Sequence, residues 1–442
     1  MLVSLALVIS GCDSPDAMRA GPNLSEPPTF PDGHFLASDL HGNSWFSADS
    51  AGATLDRFSL DAIDPVCQGE DHDPYCLLFQ SHERTAWDEA AEVDFAWAVL
   101  DTEGGDDGRE DLVGQLAGVD AETGATRWRV SNLDFSHWAG PVDCPYELDD
   151  PCHPSDSLTD REYHACRLWM PHDVAVVSET ATSTRAWVAD TRNNRLLELD
   201  IPHDDTCARV DSVIDTELVG WDVYDAPTSV EFATDANGID TILFATKSSE
   251  GKGHAAEEQL SGSGKGKILL WENRGADWSQ RWEFPPQVEG AESFVNSPHG
   301  ATFAKDAAGD PLVIYAHSLG AAGVWGGDSG QGTIGVLKID AAGGPAYVGD
   351  VRLPAHATLH FPRDVSPVGD AGWLVSDSGC AGEPCGQPTG AWMISVPNGD
   401  VSGASGAWST DHENQVFLDA KLLAGPFFGS AQQLYSVDWV AE

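Results

Sequence analysis

WMPHDVAVVSETATSTRAWVADTRNNRLLELD, residues 169–200, is the stretch that decides the fold. Its apolar residues predict one strand after Pro171, a second strand that ends at Asp190 and a third strand over Leu196–Leu199. Three consecutive antiparallel strands form a meander, which leaves two edges and one apolar face uncovered. Other parts of the chain must therefore supply the sheets that cover them.

The same unit recurs further along the chain. Its copies start at Pro171, Pro227, Pro298 and Pro362, which lie 56, 71 and 64 residues apart. The second strands of the copies are Trp187–Asp190, Leu243–Thr246, Ile314–His317 and Trp373–Asp377. Repeats of this length with three or four strands each are typical of a β-propeller, in which the blades bury each other's faces. We predict an all-β fold, a six-bladed β-propeller with disulfide-pinned loop insertions.

The rest of the sequence predicts the other two blades and the closure of the ring. Residues 34–62 predict the first blade, and the last strand, Gln433–Val440, is expected to pair with it. The second blade is predicted from strands at Phe95–Asp101, Leu116–Asp120 and Thr126–Val130, and the later blades begin near residues 169, 225, 296 and 360. We expect an acidic insertion at 137–166 to lie over a propeller face, and insertions at 249–266 and 319–332 to form surface loops.

The N-terminus resembles the signal peptide of a bacterial lipoprotein. An apolar run over residues 3–9 ends at Ser10-Gly11-Cys12, which is similar to a lipobox whose cysteine becomes lipidated. A cleaved secretory signal is the alternative, and the true start of the chain stays open because only Met1 and Leu2 precede the run. With 1–12 as signal peptide, we expect a flexible tether over 13–33 and a single propeller domain over 34–442. The predicted location is the bacterial envelope, with the lipid as the only membrane attachment.

Cysteine usage also favours export. Eight cysteines remain after Cys12, an even number that indicates four disulfides outside the cytosol. Pairs that are close in sequence could each close a small loop, although spacing alone does not determine the connectivity. The pairs suggested in this way are Cys67–Cys76, Cys144–Cys152, Cys380–Cys385 and Cys166–Cys207.

The charge of the chain excludes some partners. The net charge is −48, from 71 acidic and 23 basic residues. Nucleic acids and anionic membranes bind clustered Lys and Arg, so neither is a predicted partner. An acidic surface of this kind indicates solubility in preference to specific cation binding.

Three histidines stand near the starts of the repeats. His172 follows Pro171, His299 follows Pro298, and His360 lies two residues before Pro362. The strand nearest the axis begins each blade of a propeller, so these side chains are expected to meet at one mouth of the channel. Converging imidazoles could bind a metal, take up a proton or act as nucleophiles, whereas a histidine in an ordinary hydrogen-bonded turn is the structural alternative.

Several of these segments resemble the bacterial arylsulfotransferase family. His360-Phe361-Pro362-Arg363, followed by Trp373–Gly379, is similar to the family's His-x-x-Arg and Phe-Asp-Asn-Gly pairing. Asn296–Gly300 is similar to its His-Gly-Asn strand, and His172-Asp173 with Val188–Asp190 to its earlier histidine blade. The resemblance covers roughly residues 169–380.

The resemblance implies a six-bladed propeller enzyme that moves a sulfuryl group from an aryl sulfate to a phenol without a nucleotide sulfate donor. It implies that His360 is the nucleophile, that His172 and His299 flank the sulfate oxygens, and that no cofactor is required. Arg363 could supply the cation for the sulfate by pointing inward, and a salt bridge to Asp364 or another carboxylate is the structural alternative. The chain departs from the family at His317, which stands where the family carries an arginine, and at Leu359, which stands where the family often has glutamine.

Two other functions stay open from the sequence. A metal-dependent propeller lyase or hydrolase would hold Zn²⁺, or Ca²⁺, in the channel, and its zinc ligands would come from His172, His299, His317 and His360. A non-catalytic surface-binding propeller would use its Trp side chains and Gly-rich loops to hold a glycan or protein.

Overall fold

A computed structural model describes the parts of the chain that form the propeller. The described residues are 30, 32–39, 44–51, 53–59, 77–88, 93–104, 111–120, 126–140, 144, 152, 160–169, 171–204, 207–215, 225–235, 237–248, 266–275, 277–284, 296–305, 309–319, 332–339, 343–351, 353, 359–368, 372–379, 390–395, 415–416, 419–422 and 434–441. The signal peptide with Cys12, most of the tether, and Cys67, Cys76, Cys380 and Cys385 lie outside these residues.

Almost all regular structure in the described residues is β-strand. The strands are β1 (Gly33–Asp39), β2 (Ser44–Ala48), β3 (Thr54–Ser59), β4 (Leu77–Asp88), β5 (Val93–Gly104), β6 (Asp111–Asp120), β7 (Thr126–Val130), β8 (Asn132–Asp134), β9 (Pro171–Glu179), β10 (Ser183–Asp190), β11 (Arg195–Pro202), β12 (Cys207–Asp215), β13 (Asp225–Thr234), β14 (Asp240–Ser248), β15 (Lys267–Asn273), β16 (Trp278–Phe284), β17 (Asn296–Lys305), β18 (Pro311–Leu319), β19 (Thr333–Ile339), β20 (Pro345–Val351), β21 (Pro362–Pro367), β22 (Trp373–Asp377), β23 (Gly390–Ser395), β24 (Gln415–Val416), β25 (Asp419–Leu422) and β26 (Leu434–Ala441). One short helix, α1 (Asp160–Ala165), and a 3-10 turn (Thr191–Asn193) accompany them. A helix long and apolar enough to cross a bilayer is not found among the described residues.

The strands form six sheets, which we number around the ring. The first has the order β26-β1-β2-β3 and the second β4-β5-β6-β7. The third to sixth sheets begin with β9, β13, β17 and β21, and each continues outward strand by strand. Two short parallel strands extend them, because β8 pairs with β12 and β24 pairs with β20. The predicted all-β propeller is therefore confirmed.

The inner strands close the ring. Contacts run from β26 to β4, β9, β13, β17, β21 and back to β26. The C-terminal strand β26 pairs with β1 in antiparallel register, with Leu36 opposite Asp438. This confirms the predicted pairing of the last strand with the first blade, and it gives β1 a paired neighbour on each side.

The hydrophobic core lies between neighbouring sheets. Trp187 and Leu196 of the third sheet pack with Phe244 and Trp271 of the fourth, and all four are buried. Similar clusters join the second sheet to the third, the fourth to the fifth, the fifth to the sixth and the sixth to the first. The apolar faces of the meanders are thus covered by adjacent blades.

The disulfides correct one part of the sequence prediction. Cys144 is bonded to Cys166 and Cys152 to Cys207, with Cα–Cα distances of 4.9 and 5.2 Å. The suggested pairs Cys144–Cys152 and Cys166–Cys207 are therefore wrong. The reason is long-range pairing. Asn132 of β8 lies beside Cys207 and donates its side-chain amide to the carbonyl oxygen of Cys152, so two cysteines distant in sequence meet at one strand.

Candidate functional site

Every inner strand departs from regular pairing near its start. In the third sheet Pro171 pairs with Asp190 and Asp173 pairs with Ala189, so the register skips His172. Corresponding shifts on the other inner strands skip Phe79, Thr228, His299, Arg363 together with Asp364, and Tyr435. Such β-bulges re-aim a side chain and are common beside active sites. We call Phe79, His172, Thr228, His299, Arg363 and Tyr435 the bulge ring.

The register corrects the sequence alignment of the sixth sheet. The histidine pattern predicts that His360 is equivalent to His172, but the bulge of β21 lies at Arg363. His360 instead corresponds to Trp169, because each lies two residues before the proline that begins its inner strand. Both backbone N–H groups donate to an aspartate at the end of the second strand, Trp169 to Asp190 at 2.7 Å and His360 to Asp377 at 2.9 Å. His360 is a half-buried residue of the loop that enters β21.

Two histidines of the bulge ring come together with two aromatic rings. The imidazole centroids of His172 and His299 are 6.3 Å apart. The Tyr435 ring is 6.3 Å from His172, and the Phe361 ring is 5.7 Å from His299. All four residues are buried. The structure therefore brings His172 and His299 together, whereas the described contacts of His360 connect it to Asp377.

Arg363 places a cation in this site. Its guanidinium carbon is 4.6 Å from the centroids of both the Phe361 and Tyr435 rings, and the side chain is buried. Nε donates a hydrogen bond to the Ser378 hydroxyl at 2.9 Å, and the guanidinium also donates to the Tyr435 hydroxyl. Burial lowers the pKa of Arg363, while the bond to Tyr435 opposes that change. An arginine side chain stays protonated in proteins, so the ring contains a buried cation.

The segment after β22 holds Arg363 and Phe361 in place. The Asp377 carboxylate accepts the backbone N–H of Phe361 at 2.7 Å, and Ser378 donates its own backbone N–H to the Phe361 carbonyl at 3.0 Å. Burial raises the pKa of Asp377, and the amides of Phe361 and His360 oppose that rise. Gly379 ends the segment with a φ of 78°, a left-handed conformation that favours glycine. The Asp377-Ser378-Gly379 motif thus acts as a support for the cation.

Buried carboxylates join neighbouring sheets next to the ring. Asp173 accepts the backbone N–H of Val230 in the fourth sheet at 2.8 Å. Asp364 accepts the backbone N–H of Val437 in the first sheet, and burial raises its pKa to about 7. Both carboxylates also raise the pKa of Tyr435, although burial is the larger cause. The phenol of Tyr435 is therefore neutral at ordinary pH.

His317 and Thr228 complete the description of the site. The backbone of His317 lies opposite Pro298 in the fifth sheet. The structure does not describe the His317 side chain. The Thr228 hydroxyl donates to the Pro298 carbonyl at 2.8 Å and so ties the fourth sheet to the fifth. No group of three His, Cys, Asp or Glu side chains that could hold a metal ion is found in the described part of the chain.

Sequence reasoning missed Tyr435, Phe361 and Ser378 as parts of the site. A signal for Tyr435 exists in the sequence. His172, Thr228, Arg363 and Tyr435 are each followed by Asp or Ser and then by Val. This shared pattern follows the bulge, and it identifies the ring residue without requiring that residue to be histidine.

Comparisons with known proteins support no specific activity. Neither a family model nor a curated protein matches the chain. Among solved structures, a hypothetical selenium-binding protein from Sulfolobus tokodaii has a TM-score of 0.42 and 11% identity, covering 93% of this chain and 94% of that chain. A β-1,3-galactosidase of glycoside hydrolase family 43 has a TM-score of 0.38 and 12% identity over 72% of this chain and 92% of its own. The Dos1 propeller has a TM-score of 0.36 and 10% identity over 79% and 70%. At such low identity the similarity concerns the fold alone.

Proposed function

We propose that the bulge ring binds an oxyanion ester and that the protein transfers a sulfuryl group from an aryl sulfate to a phenol through a histidine nucleophile. The observation that supports this proposal is the buried guanidinium of Arg363 beside the His172 and His299 imidazoles. A planar guanidinium fork matches the oxygens of a sulfate, and imidazole is nucleophilic near neutral pH. The resembled family carries an arginine at the position of His317. In this chain Arg363 supplies the fixed cation in its place.

The reaction can be written with the residues of the ring. An imidazole nitrogen uses its lone pair to form a bond to sulfur, the sulfur–oxygen bond to the aryl group breaks, and the phenolate leaves with that electron pair. The acceptor phenol then gives its proton to a neighbouring imidazole that is not sulfated, its oxygen attacks sulfur, and the nitrogen–sulfur bond breaks with its electron pair returning to nitrogen. Arg363 stabilises the charge on the non-bridging oxygens during both steps. The resemblance implies His360 as the nucleophile, whereas the bulge ring contains His172 and His299.

Other parts of the proposal follow from the sequence. We take each of the six sheets as one blade, so that the channel has six inner strands. We also propose that the chain is exported and attached to the bacterial envelope through a lipid on Cys12. The two observed disulfides support an oxidising location, since disulfides persist mainly outside the cytosol. The partners would be small aryl sulfates and phenols.

A chromogenic aryl sulfate with a phenol acceptor tests this function. We expect acceptor-dependent release of the leaving phenol by the wild type and at least a ~10²-fold loss of kcat in the variant that lacks the nucleophile. The variants to compare are His172→Ala, His299→Ala and His360→Ala, with His137→Ala as a control because His137 is exposed whereas His172 and His299 are buried. Intact mass of the enzyme after donor alone should show one added sulfuryl group, and that group should be absent from the nucleophile variant.

Two results would overturn the proposal. Absence of phenol release with any acceptor would leave a binding propeller as the better account. Stoichiometric zinc in the purified protein, with activity that a chelator abolishes, would favour the metal-dependent lyase or hydrolase, whose predicted ligands include His172 and His299.

A further inference from the structure

Tyr435 lies in the strand that closes the propeller. β26 is the inner strand of the first sheet although it comes last in the chain. The hydroxyl of Ser376 in the sixth sheet donates to the Tyr435 carbonyl at 2.6 Å, and the next residue, Ser436, donates its backbone N–H to the Ser38 hydroxyl at 3.1 Å. The backbone of Tyr435 is therefore fixed from both sides.

The Tyr435 and Phe361 rings lie within cation–π distance of the same guanidinium. The carbon of the Arg363 guanidinium is 4.6 Å from each centroid. The N–H groups of a guanidinium all lie in one plane, so its hydrogen bonds form at the edge of the fork. A contact with an aromatic ring leaves that edge as the place for hydrogen bonds. Two of those in-plane bonds go to the Ser378 and Tyr435 hydroxyls. An anion that binds Arg363 must then form its hydrogen bonds in the plane of the fork.

Tyr435 can hold the cation without cancelling its charge. A phenolate beside Arg363 would form an ion pair and compete with a bound anion. Burial raises the pKa of the Tyr435 phenol more than the Arg363 guanidinium lowers it, and the carboxylates of Asp173 and Asp364 add to the rise, so the phenol stays protonated. The neutral hydroxyl accepts a hydrogen bond from Arg363 and leaves a net positive charge on the pair.

We infer that Tyr435 is a positioning residue that fixes the plane of the Arg363 guanidinium and so makes the ring selective for small oxyanions with two coplanar acceptor oxygens, such as sulfate monoesters. This inference deepens the proposed function and rests on it. It also links the closure of the propeller to the site, because the first sheet contributes to the ring through its C-terminal strand.

Binding of inorganic sulfate to purified full-length protein tests the inference, measured by titration calorimetry. Tyr435→Phe keeps the ring and removes the hydroxyl, and we expect a ~3–10-fold rise in the dissociation constant from loss of one hydrogen bond. Tyr435→Leu also removes the aromatic face, and we expect a rise of ~30-fold or more. With an aryl sulfate donor, Tyr435→Phe should raise KM while kcat stays within about twofold, because a binding interaction common to substrate and transition state is lost.

Tyr347→Phe is the matched control. Tyr347 is also buried, donates its hydroxyl to Asp350 at 2.8 Å and stacks on Phe284, in the fifth sheet's core instead of the ring. It should lose stability without a change in sulfate affinity.

The outcomes separate this inference from the proposed function. Unchanged sulfate affinity in Tyr435→Phe and Tyr435→Leu, or absence of sulfate binding in the wild type, would overturn the inference. Weakened binding in both variants, together with no sulfuryl transfer by the wild type, would support the positioning role and reject the enzymatic proposal. If Tyr435→Leu does not fold, Tyr435→Phe alone decides, since it preserves the buried ring.

Discussion

Arg363 occupies in the sixth sheet the bulge position that His172 and His299 occupy in the third and fifth sheets. A histidine pattern predicts His360 for the sixth sheet, because the residue directly after Pro362 is not histidine. The position is defined by the bulge and by the Asp-Val that follows, as in Arg363-Asp364-Val365, and not by the identity of the side chain.

Asp364 gives a testable pH dependence at the same scale. Burial raises its pKa from 3.8 to about 7, so over the pH range between these values the folded protein keeps a proton that the unfolded chain has lost. The free energy of unfolding should therefore fall as pH rises through this range and level off above it. In Asp364→Asn this decrease should be smaller by at least ~1 kcal/mol. Urea unfolding at pH 5 and pH 8 measures the difference.

Asp277→Asn is the control for Asp364, because Asp277 is an exposed carboxylate. It should leave the slope of stability against pH as it is in the wild type. If the Asp364→Asn variant shows the wild-type slope, Asp364 is ionised in the folded protein. The raised pKa of its carboxyl group would then be wrong.

Strand positions were predictable at the level of elements, but the bulges were not. The alternation of apolar residues located the inner strands of four sheets to within a few residues, because each strand buries both faces between neighbours. A bulge depends on the register between two strands, and no single segment contains that register. The predicted insertions at 249–266 and 319–332 fall mostly outside the described residues and stay predictions.

Gly300 marks a close approach between the inner strands β17 and β21. A Cβ at this position would lie 2.7 Å from the Arg363 carbonyl oxygen and 2.9 Å from the Val365 nitrogen, both backbone atoms. Gly300→Ala should therefore push β21 away from β17, cost about 1–3 kcal/mol of stability and weaken sulfate binding by displacing Arg363. Urea unfolding and sulfate titration of the same preparation measure the two effects.

Gly309→Ala separates strand displacement from simple backbone strain. Gly309 has a φ of +84° with open space around its missing Cβ, so alanine there should cost stability alone. Wild-type sulfate affinity in Gly300→Ala would mean that the contact between β17 and β21 does not position Arg363.

At the scale of the whole molecule, the sequence predicted the ring and its closure better than its covalent links. The closure was predictable because β26 is an apolar strand left over after the repeats, and only the first blade lacked an inner strand. The disulfides were not predictable in the same way. Cys152 and Cys207 are brought together by the parallel pairing of β8 with β12, which joins residues far apart in sequence.

Removing each described disulfide tests how the insertion before His172 is held. The bond between Cys152 and Cys207 spans 55 residues and that between Cys144 and Cys166 spans 22. In the chain-entropy model these bonds stabilise the protein by roughly 4 and roughly 3 kcal/mol, because the longer loop restricts the unfolded chain more. The Cys152→Ser/Cys207→Ser variant should therefore unfold at a lower urea concentration than the Cys144→Ser/Cys166→Ser variant. Both variants should unfold at a lower urea concentration than the wild type.

Since the insertion leads directly into β9, sulfate affinity should also fall in both variants. Equal unfolding midpoints in all three proteins would mean that the native contacts of Asn132 and α1 hold the insertion without the covalent links.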